Sequence, residues 1–234
     1  MSIATGASME FVFDTRSVPA SFVERIWRTT SEHPGTFMSA AASNWELVIT
    51  TFDGKTLIAA RGPETKASEA DFPADAEFLG ITFKLGTFMP HLPLKALLDK
   101  RDAILPQASR NSFWLHGRVW ERPTFENADV FVSRLIRQGL LVRDPVVEAA
   151  LQGRTPDISI RSLQYRFVQA TGLAHKTIQQ IERAGQAVTL LKQGRPILDT
   201  AFDLGYFDQA HLTNSLRRFI GKTPAQIIQK STTM

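Results

Sequence analysis

The sequence predicts an α+β protein: an N-terminal β-rich barrel or sandwich with helices, followed by an all-α C-terminal region. Three observations predict it. Short runs rich in β-branched and aromatic residues, punctuated by Gly, Pro and Asp, occupy the chain as far as Gly86. After Pro93 the apolar residues recur instead at three- and four-residue steps. Positive charge gathers at one end: residues 153–234 carry 11 Lys+Arg against 5 Asp+Glu (+6), whereas residues 1–152 carry 16 against 18 (−2).

The strand runs are "WELVITTF" (Trp45–Phe52), "KTLIAARG" (Lys55–Gly62) and "EFLGITFKLG" (Glu77–Gly86). In the first, Trp45, Leu47 and Ile49 share one face and Glu46 and Thr50 the other, with Val48 as the exception to a period of two. Asp53-Gly54 between the first two runs predicts a tight hairpin turn, because Gly accepts the positive φ that such a turn needs. Trp45, Phe83, Phe88, Trp114 and Trp120 are the expected core aromatics.

The helices follow. "TFENADVFVSRLIRQG" opens with Thr124 as N-cap, carries Val130, Phe131, Leu135 and Ile136 at helical spacing, and stops at Gly139. "DPVVEAALQG" has Asp144 as cap, Pro145 in the first helical position and Gly153 at the end. A helix from about Ser159 to Ala170 places Leu163, Phe167 and Ala170 on one face, with Gly172 closing it. In "KTIQQIERAGQAVTLLKQG", Ile178, Ile181, Ala184, Val188 and Leu191 form the stripe of a long connecting helix ending at Gly194. Pro196 then starts "PILDTAFDLG", and Asp208 caps the helix after it. The domain division expected is 1–143 and 144–234.

Two of these helices are approximate copies. Leu163 and Phe167 in "IRSLQYRF" correspond to Leu212 and Leu216 in "AHLTNSLRRF". Each is preceded by a helix and a turn, as a helix-turn-helix requires, since its second helix is pinned to a core on one face and enters the DNA major groove with the other. In the second unit Ala201 lies four residues before Gly205, a small residue for close approach and a Gly for the sharp turn. At about 100° per residue, Leu212, Leu216 and Phe219 point inward. Ala210, Asn214 and Arg217 then point outward, with Thr213 and Arg218 flanking. The same wheel sends Arg161 and Tyr165 of the first copy outward, with Gln164 and Val168 beside them. Arg bonds guanine bidentately and Gln bonds adenine, while cations late in the helix suit phosphate. Two such heads on one connecting helix suit successive major-groove segments ~34 Å apart.

The same residues resemble the DNA-binding domain of AraC/XylS-type transcription regulators. The resemblance rests on "SIRSLQYRF" with the following "TGL", and on "ILDTAFDLGYFDQAHLTNSLRRFIGKTPAQI", above all Ala201, Gly205-Tyr206, Asp208-Gln209, His211-Leu212, Arg217-Arg218-Phe219, Gly221 and Thr223-Pro224. It implies a transcription regulator that binds double-stranded DNA and works with RNA polymerase, and the chain is expected to act in the cytoplasm. By position its base-facing residues fall on Arg161, Gln164 and Tyr165 and on Gln209, Ala210, Thr213 and Asn214. Gln209 rests mainly on the resemblance; the wheel reaches the others independently. Arg217 and Arg218 are expected at phosphate, with one of them paired to an acid such as Asp203. Two departures stand out: "QGRTPDIS" makes the first unit's turn long and Pro-containing, and Leu216 occupies a position where many relatives have Phe.

The N-terminal part resembles, more loosely, the cupin-like sensor domains of such regulators, in "GITFKLGTFMPHLP" and "SFWLHGRVWERPTFENADVF". That implies control by a small molecule or partner, and a homodimer. The competing reading is a cupin-like ligand-binding or metal-dependent enzyme domain with an accessory helical module. Its candidate ligands are His91 and His116 with Glu46, Glu77 and Glu121, which lack His-x-His or other regular ligand spacing. The chain has no cysteine, which removes disulfides, thiolate metal sites and thiol nucleophiles. Neither phosphate-binding glycine loops nor nucleophile elbows occur. We therefore expect no catalytic residue, no metal and no cofactor. No apolar run reaches the ~18 residues that span a bilayer, and Met1–Ser17 lacks the basic-then-apolar pattern of a leader.

Overall fold

In the computed structural model, residues 12–16, 22–99 and 103–231 are described. The reading of Met1–Ser17 therefore falls largely outside the described residues. In chain order the elements are β1 (Asp14–Arg16), β2 (Val23–Ser31), β3 (Gly35–Ser39), β4 (Glu46–Phe52), β5 (Lys55–Arg61), β6 (Ser68–Phe72), β7 (Ala76–Phe83), β8 (Thr87–Phe88), α1 (Leu94–Leu97), β9 (Ala103–Leu105), β10 (Gln107–Ser109), β11 (Ser112–Leu115), β12 (Arg118–Glu121), α2 (Ala128–Arg137) and β13 (Val142–Arg143). The rest is helical: α3 (Pro145–Leu151), α4 (Ile160–Thr171), α5 (His175–Lys192), α6 (Ile197–Asp203), α7 (Gln209–Ile220) and α8 (Pro224–Ser231).

The principal sheet is antiparallel, ordered β1-β2-β7-β4-β5-β9, and is accompanied by a β10-β11-β12 meander and by two-stranded pairs β3-β6 and β8-β13. It ends at β1 and β9 without pairing them, so the β-rich region is a set of packed sheets and no closed barrel forms among the described strands. The Asp53-Gly54 hairpin is present, both residues at positive φ (47° and 67°), and sets the register Phe52↔Lys55 through Glu46↔Arg61. Trp45, Leu47 and Ile49 are buried as the alternation requires. Val48, the exception, is buried too, because the opposite face of this strand is also covered. Trp45 stacks on Phe83 at 4.2 Å between centroids and donates its indole N–H to the Thr87 carbonyl at 2.6 Å. At Gly80 the ring of Trp27 crosses directly over the backbone, where a Cβ would lie 2.0 Å from it.

Several expectations are corrected. Strands continue beyond Pro93, with β9 completing the main sheet and β10 to β12 forming their own. Trp114 is not core: it is 45% exposed, because β11 turns Phe113 and Leu115 inward. α2 begins at Ala128, and Thr124 caps a turn three residues earlier, exchanging bonds with Asn127. Val130 faces outward at 55% exposure while Phe131, Val132 and Leu135 are buried.

Two apolar cores result. One joins the sheets to α2 and runs from Val23 to Leu141; the other is helical and runs from Val147 to Ile227. Phe88 packs against both. Contacts across them are tight: a Cβ on Gly172 would meet the Leu94 backbone at 3.0 Å, and one on Gly221 would meet the Met38 side chain at 2.6 Å. Among the described residues no helix is long and apolar enough to cross a membrane.

Candidate nucleic-acid interface

The second helical pair is assembled from local signals. α6 follows Pro196, and its Ala201 is 4% exposed, small enough to lie against its neighbours. Gly205 takes φ 67°, the left-handed conformation that turns the chain. The Tyr206 N–H then donates to the Ala201 carbonyl at 2.9 Å. Asp208 caps α7, its carboxylate accepting from the His211 N–H at 2.6 Å. Gly221 ends the helix at φ 76°, as an αL C-cap. Between these caps Leu212, Leu216, Phe219 and Ile220 are buried.

The opposite face is presented to solvent. Gln209, Ala210, Asn214, Arg217 and Arg218 are exposed, and Thr213 is half-buried. The Thr213 hydroxyl donates back to the Gln209 carbonyl at 2.8 Å. Asp203 does not pair with Arg217 or Arg218: Arg195 holds it, at 2.8 Å. Arg218 instead lies over the Phe219 ring at 5.0 Å. His211 serves the turn, its Nδ1 accepting from the Phe207 N–H at 3.3 Å and its ring standing edge-on to Tyr206.

α4 is built likewise, with Ser159 as N-cap accepting from the Ser162 N–H at 3.1 Å and Gly172 as αL C-cap. Phe167 and Ala170 are buried and Leu163 packs at the core's margin. Arg161, Gln164 and Tyr165 are exposed. Tyr165, at 67% exposure, does not fold back onto the core. The turn before α4 is long: residues 152–159, eight in all, separate α3 from α4, against five (204–208) between α6 and α7. The predicted residues thus fall on two separate helices, Arg161, Gln164 and Tyr165 on α4 and the other six on α7, joined through α5. All five predicted stripe residues of α5 are buried, together with Ala187.

Sequence reasoning missed three features here. Arg183 of α5 lies 4.5 Å over the Tyr206 ring and donates to the Gly205 carbonyl at 3.4 Å, tying the connecting helix to the second turn. Leu198, Phe202 and Phe207 stand 66%, 86% and 92% exposed beside that turn, legible only as apolar residues off the inward stripe. Two backbone bonds reach α7 from the β-rich region, Ala41 N–H to the Phe219 carbonyl and Ala67 N–H to the Arg218 carbonyl, each 2.7 Å.

His91 and His116, the metal candidates, do meet, at 4.2 Å between ring centroids. Burial, and then the neighbouring His116, hold the His91 imidazole below its ordinary pKa. Among the described residues no group of three or more His, Cys, Asp or Glu is arranged to hold a metal ion.

Two capped helices with polar faces on a basic helical body define a DNA-binding helix-turn-helix module. Residues 155–230 match a family model described as a helix-turn-helix domain. Among solved structures, ToxT from Vibrio cholerae is 11% identical, with 93% of this chain and 98% of that chain covered and a TM-score of 0.39. ToxT from Vibrio cholerae O395 is 10% identical over 95% of this chain and 99% of that chain, with a TM-score of 0.38. No curated protein matches the chain.

Proposed function

We propose that this protein is a sequence-specific DNA-binding transcription regulator in which α4 and α7 enter successive major-groove segments. The observation that carries this reading is α7: capped at Asp208 and Gly221, buried along Leu212, Leu216 and Phe219, and exposed along Gln209, Ala210, Asn214 and Arg217. Short polar groups near the helix start suit base edges, and Arg217 and Arg218 in its last turn suit phosphate. Arg161, Gln164 and Tyr165 read the other half of the site from α4. The division falls at residues 143 and 144, between β13 and the Asp144 cap of α3, so that 1–143 forms a sensor and dimerisation region and 144–234 the DNA-binding domain. The protein acts in the cytoplasm without catalysis or cofactor, alongside RNA polymerase, and answers to a small molecule or partner at the β-rich region.

In vitro selection of bound duplexes, followed by gel shifts of the selected site at two salt concentrations, tests this. The expected result is a two-part consensus with half-sites about one helical turn apart and affinity that falls steeply with salt. Absence of salt-dependent retention would remove the reading altogether.

A further inference from the structure

A cavity of about 580 Å³ lies between the β-rich region and the connecting helix α5. One wall is the main sheet with the β3-β6 pair; the other is α5, from Ile181 to Thr189. The volume falls within the ~300–1,000 Å³ typical of small-molecule sites. Three features say what it takes.

The first is charge. Among the described residues that line it are five carboxylates, Glu24, Glu46, Glu64, Asp71 and Glu182, against two guanidiniums, Arg25 and Arg61. Arg61 lies 3.7 Å from Glu46, whose carboxylate also accepts from the Trp27 indole and the Thr82 hydroxyl. The lining therefore keeps an excess of negative charge beside aromatic faces, those of Trp27, Phe37, Phe72 and Phe78. Aromatic faces attract cations through their quadrupole, and carboxylates do so through charge.

The second feature is Ser43, which lines the cavity, is 7% exposed and carries a buried hydroxyl with no hydrogen-bond partner. A buried polar atom left unsatisfied calls for a partner, and a ligand group in the cavity can supply one. The third is Gly185. It sits in mid-helix, where no positive φ demands a glycine, and nothing lies within 4 Å of the position a Cβ would occupy. The cavity thus extends to the bare backbone of α5.

We propose that this cavity binds an organic monocation with an aromatic or aliphatic body, and that α7 senses its occupancy. The ammonium meets Glu46, Glu64 and Glu182, the body lies on the aromatic faces, and Ser43 bonds a polar group. The second half rests on the reading of the chain as a DNA-binding regulator. It follows from the cavity's rim: Ala41 lines it, and its N–H holds the Phe219 carbonyl at the end of α7. A ligand that shifts this rim shifts α7 with it.

Calorimetry on the full chain with 4-phenylbutylammonium and the matched anion 5-phenylpentanoate tests the site without DNA. The cation should bind at least tenfold more tightly than the anion. Glu182→Gln should weaken it several-fold, and Gly185→Leu, which fills open space, should weaken it more than tenfold while far-UV circular dichroism and Tm stay near the parent. Equal or tighter binding of the anion, no binding of the cation, or binding indifferent to Gly185→Leu overturns the site. In a separate arm, affinity for the selected duplex is measured with and without the cation. A several-fold change supports the coupling, and an unchanged affinity in a protein that binds both overturns it. Loss of all DNA binding would instead remove the regulator reading, while the cavity would still stand or fall by calorimetry.

Discussion

The two helix-turn-helix units carry similar helices on unequal supports. α7 buries four side chains, is closed by Asp208 and Gly221, follows a five-residue turn pinned by Arg183, and receives two backbone bonds from the β-rich region. α4 buries Phe167, Ala170 and Thr171, follows an eight-residue connection, and is steadied by Arg166, which pairs with the Asp144 cap of α3 at 2.9 Å. Exposed ion pairs contribute little compared with a buried leucine. The second unit therefore has the shorter, pinned turn, and the first hangs on a longer connection steadied by one ion pair.

The largest test of that contrast is a cavity in each unit. Leu216→Ala removes a fully buried side chain and should cost about 2–5 kcal/mol by urea unfolding. Leu163→Ala, at the margin of the same core, should cost clearly less. Equal losses would show that the units are supported alike.

Base reading comes next in size. Asn214→Ala and Arg161→Ala should each relax preference at one position of a selected site, costing about 1–3 kcal/mol against the preferred base with little change in Tm. Arg217→Ala should weaken all sequences alike and lower the salt slope by about one. If Asn214→Ala weakened every sequence equally, its assignment to a base edge would be wrong. Capping separates the units on a smaller scale. Asp208→Ala should cost about 0.5–2 kcal/mol, since the carboxylate accepts the His211 N–H at 2.6 Å. Ser159→Ala should lie toward the lower end, because that cap is longer, at 3.1 Å.

The second unit is also the part most legible in the sequence. Its caps, its Gly turn and its inward stripe are local signals, each written within a few residues. The stripe of α5 is legible because burial on one side of a long helix enforces a 3.6-residue period. The hairpin of β11 and β12 escapes such a reading although its residues are in view. Its turn is His116-Gly117, both at positive φ (50° and 68°), and a histidine there gives no turn signal as Asp53-Gly54 does. With that turn unread, Trp114 passes for a core residue, although period-two alternation with Phe113 and Leu115 sends it out. The contacts of Ala41 and Ala67 with α7 are not legible at all. They use backbone N–H groups, so no side chain records them.

The smallest effect concerns the β-rich region, which has its own internal test in His91. Burial and the adjacent His116 lower its pKa below 6.5, so the folded state disfavours the imidazolium. Just below pH 6.5 the unfolded chain therefore takes up a proton that the folded chain does not. Stability then rises with pH in that window, so it is fully present above it and is lost as pH falls. Urea midpoints measured from pH 7.5 to 5 should decline, and the decline should be shallower in His91→Gln, which removes the group, and in His116→Gln, which removes the like charge. The acid arm adds a separate slope at lower pH. Asp129, held low first by the Arg16 hydrogen bond, favours the folded state above its ordinary 3.8 and loses that preference below it. An identical decline in the parent and His91→Gln would place the pH sensitivity elsewhere.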